Sequence, residues 1–196
     1  GEMAEIRARR AAACVALAGA LLVAAGLAAA QDSGELPAGG GTRDHLQLGL
    51  GFFDIYDQED GAVYASAIYR PCVRVLDFGA EADDVWQGIG PQVGVGLNND
   101  GGKLAHAGLF LDLRPFDNVV VWPGISATAW DEGDSRDLGG TFQFMSELYI
   151  GYRLPWDDLL GVSIQHISNA EIHDDNPGGD IAMATYTLSF GPLFSN

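Results

Sequence analysis

The chain has 196 residues, with 27 Asp or Glu against 10 Lys or Arg and a formal net charge of −17. So acidic a balance excludes nucleic acid as a partner, because phosphates need basic side chains. Two cysteines in the whole chain exclude a disulfide-built scaffold.

The N-terminal segment carries Arg7, Arg9 and Arg10, then an alanine-rich apolar run from Ala11 to Ala30 that closes on Ala28-Ala29-Ala30. A basic start, an apolar middle and a small-x-small end predict a cleaved signal peptide over 1–30. Cys14 leaves with it, so Cys72 is expected to stand alone, as a plain strand residue. Residues 31–43 are Gly, Pro and polar residues without a period and read as a flexible lead-in. The remaining 44–196 suit one domain.

From Leu46 onward the period is two. Leu46, Leu48, Leu50 and Phe52 alternate with Gln47, Gly49 and Gly51, and residues 62–70 are strand-like. Ile89, Pro91, Val93, Val95 and Leu97 alternate with Gly90, Gln92, Gly94 and Gly96; Leu109, Leu111 and Leu113 face away from Gly108, Phe110 and Asp112. Residues 119–130 are again strand-like. Phe142, Phe144, Leu148, Ile150 and Tyr152 then alternate with Gln143, Glu147 and Gly151. Leu160, Val162 and Ile164 alternate with Gly161, Ser163 and Gln165, and Tyr186, Leu188 and Phe190 with Thr185, Thr187 and Ser189. About eight strands result.

Alternation alone fits a soluble sandwich or barrel as well. Three features point to a membrane barrel with its apolar face outward. The other face is mostly Gly, Ser, Thr and Gln, as in the lumen of a narrow eight-stranded barrel. Arg114–Asn118 and Leu154–Asp158 are tight, whereas Asp54–Gly61, Asn98–Lys103, Asp131–Gly140 and Asn169–Gly179 are longer and polar. That split matches short periplasmic turns and longer external loops. The chain also closes on strand-like sequence with Phe190 and Phe194. Residues 71–85 are too long for a periplasmic turn, unless the second strand continues through Val73 and Val75. The expected fold class is an all-β, eight-stranded antiparallel transmembrane barrel, closed because an open edge in hydrocarbon would leave backbone groups unpaired.

The chemistry concentrates in residues 161–180. His166 and Ser168 are two apart on one strand and share the outward face of Leu160, Val162 and Ile164. Asp180 has the parity of Tyr186 and Leu188 on the next strand, so it can project outward beside them. A hydroxyl, an imidazole and a carboxylate in that order make an activated nucleophile, its base and the group that orients the base. Single polar residues at a strand end are usually solvated rim; three together facing lipid are costly, which favours function. His173, Asp174, Asp175 and Asp180 are oxygen-rich enough for Ca²⁺, but without regular ligand spacing they read as a solvated loop.

His166-Ile167-Ser168-Asn169-Ala170, followed by Asn176-Pro177-Gly178 and an acid twelve positions after the serine, resembles the outer-membrane lipid A 3-O-deacylases of the PagL type. Pro91–Gly96, Leu138-Gly139-Gly140 before a Phe-rich strand ending Tyr149-Ile150-Gly151-Tyr152, and the closing Tyr186 to Phe190 fit the same family. The resemblance implies a serine esterase in the cell outer membrane that removes the acyl chain at position 3 of lipid A, with no cofactor or metal. It puts the nucleophile at Ser168, the base at His166 and the orienting acid at Asp180, where the family usually has glutamate. Asn176 falls on the family's loop asparagine, a candidate for the oxyanion site, and Asn169 is the second candidate. Lipid A or lipopolysaccharide and the membrane are the implied partners, and a homodimer is left open. Two other readings stay in view. A non-catalytic barrel with a structural or adhesion role would not need the three residues to converge, and a soluble periplasmic barrel would need the reverse parity.

Overall fold

Alternating apolar and small polar residues leave each strand two usable faces, and antiparallel pairing turns those faces into continuous rows. The structure, a computed structural model, describes residues 43–55, 61–78 and 85–193. The expected signal peptide and nearly all of the lead-in lie outside these, as does Phe194. The strands are β1 (Asp44–Phe53), β2 (Ala62–Arg70), β3 (Leu76–Asp77), β4 (Trp86–Asn98), β5 (Lys103–Phe116), β6 (Val119–Asp131), β7 (Phe142–Arg153), β8 (Leu159–Ser168) and β9 (Gly179–Phe190). Neighbours pair antiparallel, β9 returns to β1, and β2 pairs with β4 to close the ring. Eight long strands therefore form a closed barrel.

The two-residue β3 explains the long connection after the second strand. Leu76 and Asp77 pair with Ile89 and Gly88, just below the point where β2 leaves β4 at the Tyr69–Val93 pair. A second short segment thus takes over the edge that β2 abandons. Cys72 lies in this connection and not in a strand; it is buried and free. Burial, with the Asp44 carboxylate beside it, pushes its thiol up to about 11. The Asn98–Lys103 connection is also tighter than its composition suggests, because Asn98 Oδ1 accepts the N–H groups of Asp100 and Gly102.

Outward rows are apolar: Leu50, Phe52, Ile125, Leu160 and Val162 are all more than half exposed. The lumen holds Gln47, Gln92, Gln143, Gln165, Ser126, Ser163 and Thr187, all buried. It also holds charges that alternation did not reveal. Arg70 Nη2 meets Glu147 Oε2 at 2.6 Å, and Arg70 also donates to Gln47 and Gln92. Gln47, Ser163 and Gln165 donate to Glu147. The Arg70 guanidinium lies 5.0–5.7 Å from the rings of Phe110, Trp122 and Tyr149. Toward the loop end, Phe53, Trp130, Leu138, Met145, Ile167 and Ile181 form an apolar plug. The lumen is filled, and that plug is the floor on which the loops next to β8 and β9 rest.

Candidate active site

His166 and Asp180 are register partners on β8 and β9, with both side chains on the outward face. Directly opposed residues bring their Cβ atoms within about 5.5 Å, close enough for an aspartate to reach. The imidazole Nδ1 and Asp180 Oδ1 are 2.8 Å apart, with side chains 51% and 27% exposed. A carboxylate only accepts, so Nδ1 donates and Nε2 keeps a free lone pair. The directly opposed register thus puts the shorter aspartate side chain within hydrogen-bonding reach of the ring. Asp174 and Asp175 lie in the exposed loop, and Asp175 is tied to Asn169 through its backbone carbonyl.

Ser168 ends β8 two residues beyond His166 on the same face, opposite Phe144 of β7. The Cε1–Nε2 edge of the imidazole lies toward Gly178, where an added Cβ would sit 3.4 Å from Cε1 and 3.8 Å from Nε2. Gly178 has φ of +65° and leads into β9, so this edge points to the loop end, the direction in which Ser168 lies. Ser146 is the β7 partner of His166, a small exposed residue in an otherwise apolar outward row.

The loop between β8 and β9 is held from beneath. Asn169 is fully buried; its Nδ2 donates to the carbonyls of Leu138 at 3.0 Å and Asp175 at 2.6 Å, and its N–H donates to Asn176 Oδ1 at 2.9 Å. Both amide hydrogens of Asn169 are thus spent on the loop. Asn176 uses its carbonyl oxygen there, which leaves its own amide hydrogens for another partner. Ala170 and Glu171 follow with φ of 52° and 62°, a strained turn for residues with a Cβ.

Leu138-Gly139-Gly140 forms the other half of the support. The Leu138 side chain enters the plug against Ile167 and Ile181. Gly139, at φ +80°, lets the Asp175 carbonyl approach within 2.1 Å of where a Cβ would stand. The His173 ring covers Gly140, and its Nε2 donates to the Phe142 carbonyl at 3.2 Å. His173 is therefore a loop anchor. Among the described residues no group of three His, Cys, Asp or Glu could hold a metal ion.

Sequence reading missed Arg136 and Asp54, which meet at 2.6 Å beside this loop. Both sit in polar connections whose composition signals only exposure. Asp54 is nonetheless buried.

A closed barrel with outward apolar rows and a histidine–carboxylate pair on its lipid side is an outer-membrane architecture. Residues 86–189, just over half of the chain and including His166, Ser168 and Asp180, match the family described as Lipid A 3-O-deacylase (PagL), and the chain belongs to that family. It is 38% identical over 76 residues to the lipid A deacylase PagL of Bordetella bronchiseptica. That alignment covers 38% of this chain and 43% of the relative, so it spans less than half of the relative's length. A crystal structure of the outer membrane enzyme PagL superposes with a TM-score of 0.57 at 14% identity, covering 74% of this chain and 98% of that one. At that identity the likeness speaks for the fold, an outer-membrane barrel. None of the comparisons lends support to a homodimer.

Proposed function

We propose that the chain is an outer-membrane serine esterase that hydrolyses the ester-linked acyl chain at position 3 of lipid A. The observation that carries this reading is the 2.8 Å contact between His166 Nδ1 and Asp180 Oδ1 on the outward face, with Ser168 on the same face. A lipid-facing ionisable pair is expensive without a task, and family membership supplies the substrate class.

In this reading His166 Nε2 takes the Ser168 hydroxyl proton as the oxygen attacks the ester carbonyl. Asp180 holds the ring in the tautomer that leaves Nε2 free and stabilises the imidazolium that forms. The developing oxyanion is met by the Asn176 amide, with Asn169 fixing the loop that presents it; such a donor is worth about 3 kcal/mol of barrier. Collapse breaks the acyl C–O bond, and the proton on Nε2 passes to the departing sugar oxygen. Water then releases the fatty acid from Ser168 with His166 again as base.

Mass spectrometry of lipid A from cells expressing the wild type, Ser168→Ala or neither tests this. The wild type should remove one ester-linked acyl chain, and Ser168→Ala should lower the rate on the order of 10³-fold or more. An unchanged lipid A in wild-type cells, or full deacylation by Ser168→Ala, would overturn it.

A further inference from the structure

We propose that Arg136 and Asp54 are positioning residues for the His166–Asp180 couple, an inference that rests on the esterase reading given above. Arg136 lies in the loop between β6 and β7, and Asp54 directly follows β1. Their side chains meet at 2.6 Å, 15% and 3% exposed.

Asp54 touches the site through its backbone. Its N–H donates to the Asp180 carbonyl at 2.7 Å, and the Ile55 N–H reaches the same oxygen at 3.4 Å. This contact is the last one before β1 leaves β9, one step beyond the Phe53–Ile181 pair. Asp54 makes it in a left-handed conformation, φ 57°, which aspartate adopts more readily than most residues with a Cβ when its carboxylate has a fixed partner. The Arg136 ion pair supplies such a partner.

Arg136 also reaches the other flank of the same segment. Its Nη2 donates to the Pro177 carbonyl at 3.5 Å, while Trp130 Nε1 donates to the Arg136 carbonyl at 3.1 Å and anchors its backbone. Trp130 in turn stacks on Phe53, next to Asp54, at 5.3 Å. One arginine therefore grips the chain before Gly178, which lies against the His166 ring, and, through Asp54, the backbone of Asp180. The two residues fix the angle at which the carboxylate meets Nδ1, without touching substrate.

The test uses full-length barrel in detergent micelles with lipid A as substrate, comparing wild type, Arg136→Lys and Arg136→Met. Arg136→Met should lower kcat about tenfold and leave KM within about twofold, since sub-ångström to 1 Å misplacement acts on the chemical step. Arg136→Lys should recover part of the loss. In an Asp180→Ala background Arg136→Met should cost less than about twofold further, because residues acting through one another are non-additive. A full additional loss in that background, or an unaffected kcat, overturns the proposal. Amide exchange decides independently of activity: peptides spanning 53–55 and 177–181 should exchange faster in Arg136→Met, and unchanged exchange there overturns the proposal. Faster exchange in a protein whose wild type leaves lipid A intact would instead overturn the esterase reading and leave the clamp standing.

Discussion

The Arg70 guanidinium and the Glu147 carboxylate lie 2.6 Å apart inside the barrel, and neither side chain has exposed surface. Glu147 takes further hydrogen bonds from Gln47 and Ser163, and Arg70 donates to Gln47 and Gln92, so both charges are hydrogen-bonded as well as paired. Removing one partner of such a pair costs about 3–5 kcal/mol, because it strands the other charge. Arg70→Met and Glu147→Leu should each lower the temperature at which the compact, fast-migrating barrel is lost on denaturing gels. The double substitution should recover much of that loss. Single variants as heat-resistant as wild type would show that the pair contributes little.

The His166–Asp180 contact sets a second expectation. Asp180→Ala should cut the deacylation rate on the order of 10³-fold, as loss of an orienting carboxylate does in other triads, while the folded-barrel gel shift is kept. Asp180→Glu, which installs the acid that the family resemblance implies at this position, should stay within about tenfold of wild type. Asp174→Asn and Asp175→Asn should matter little, since neither carboxylate contacts the imidazole. Inactivation by either loop variant, with Asp180→Ala harmless, would move the third triad member into the loop.

Gly139 offers a test of the support beneath the site. At φ +80° a side chain is strained by roughly 1–2 kcal/mol, and its Cβ would collide with the Asp175 carbonyl. Gly139→Val should displace the 169–178 loop and lose most activity, with the barrel still folded. Wild-type kcat in that variant would mean the loop's position is not set from below.

The Asp158 turn supplies a pH dependence. Burial raises its pKa, but hydrogen bonds from the Ser189 N–H and the Tyr186 hydroxyl, which itself accepts from the Trp156 indole, outweigh this and hold the carboxyl below its ordinary value. A lowered folded-state pKa gives stability that is present above the unfolded pKa of about 3.9 and lost as pH falls through the folded one. Asp158→Asn should therefore lower the barrel's melting temperature at pH 7. The difference from wild type should shrink below about pH 4. A gap that does not change with pH would assign the effect to geometry alone.

Much of this was legible in the sequence, for a specific reason. In a barrel the alternation at Leu48, Leu50 and Phe52 reports outward direction at once, and the same parity places His166, Ser168 and Asp180 on one face. The interior was less legible. Arg70 falls at a strand end, and Glu147 looks like one polar position among Gln and Gly; only closure of the ring brings them together. Asn169 read as an oxyanion candidate, and its burial under the loop, with both amide hydrogens engaged, depends on Leu138 arriving from 31 residues away. Asp54 and Arg136, 82 residues apart, carry no local signal at all.

The filled lumen has a bearing on where the chemistry sits. Trp122 and Tyr149, register partners on β6 and β7, stack at 4.8 Å inside the barrel, and Phe53 of β1 stacks on Trp130 of β6 nearer the loop end, so among the described residues aromatic rings fill much of the interior. If Ser168 acts as proposed, water for the second hydrolytic step reaches it from the barrel's outer side, where the residue lies at the end of β8. Chemistry placed on the outer wall leaves the interior free to be packed for stability alone.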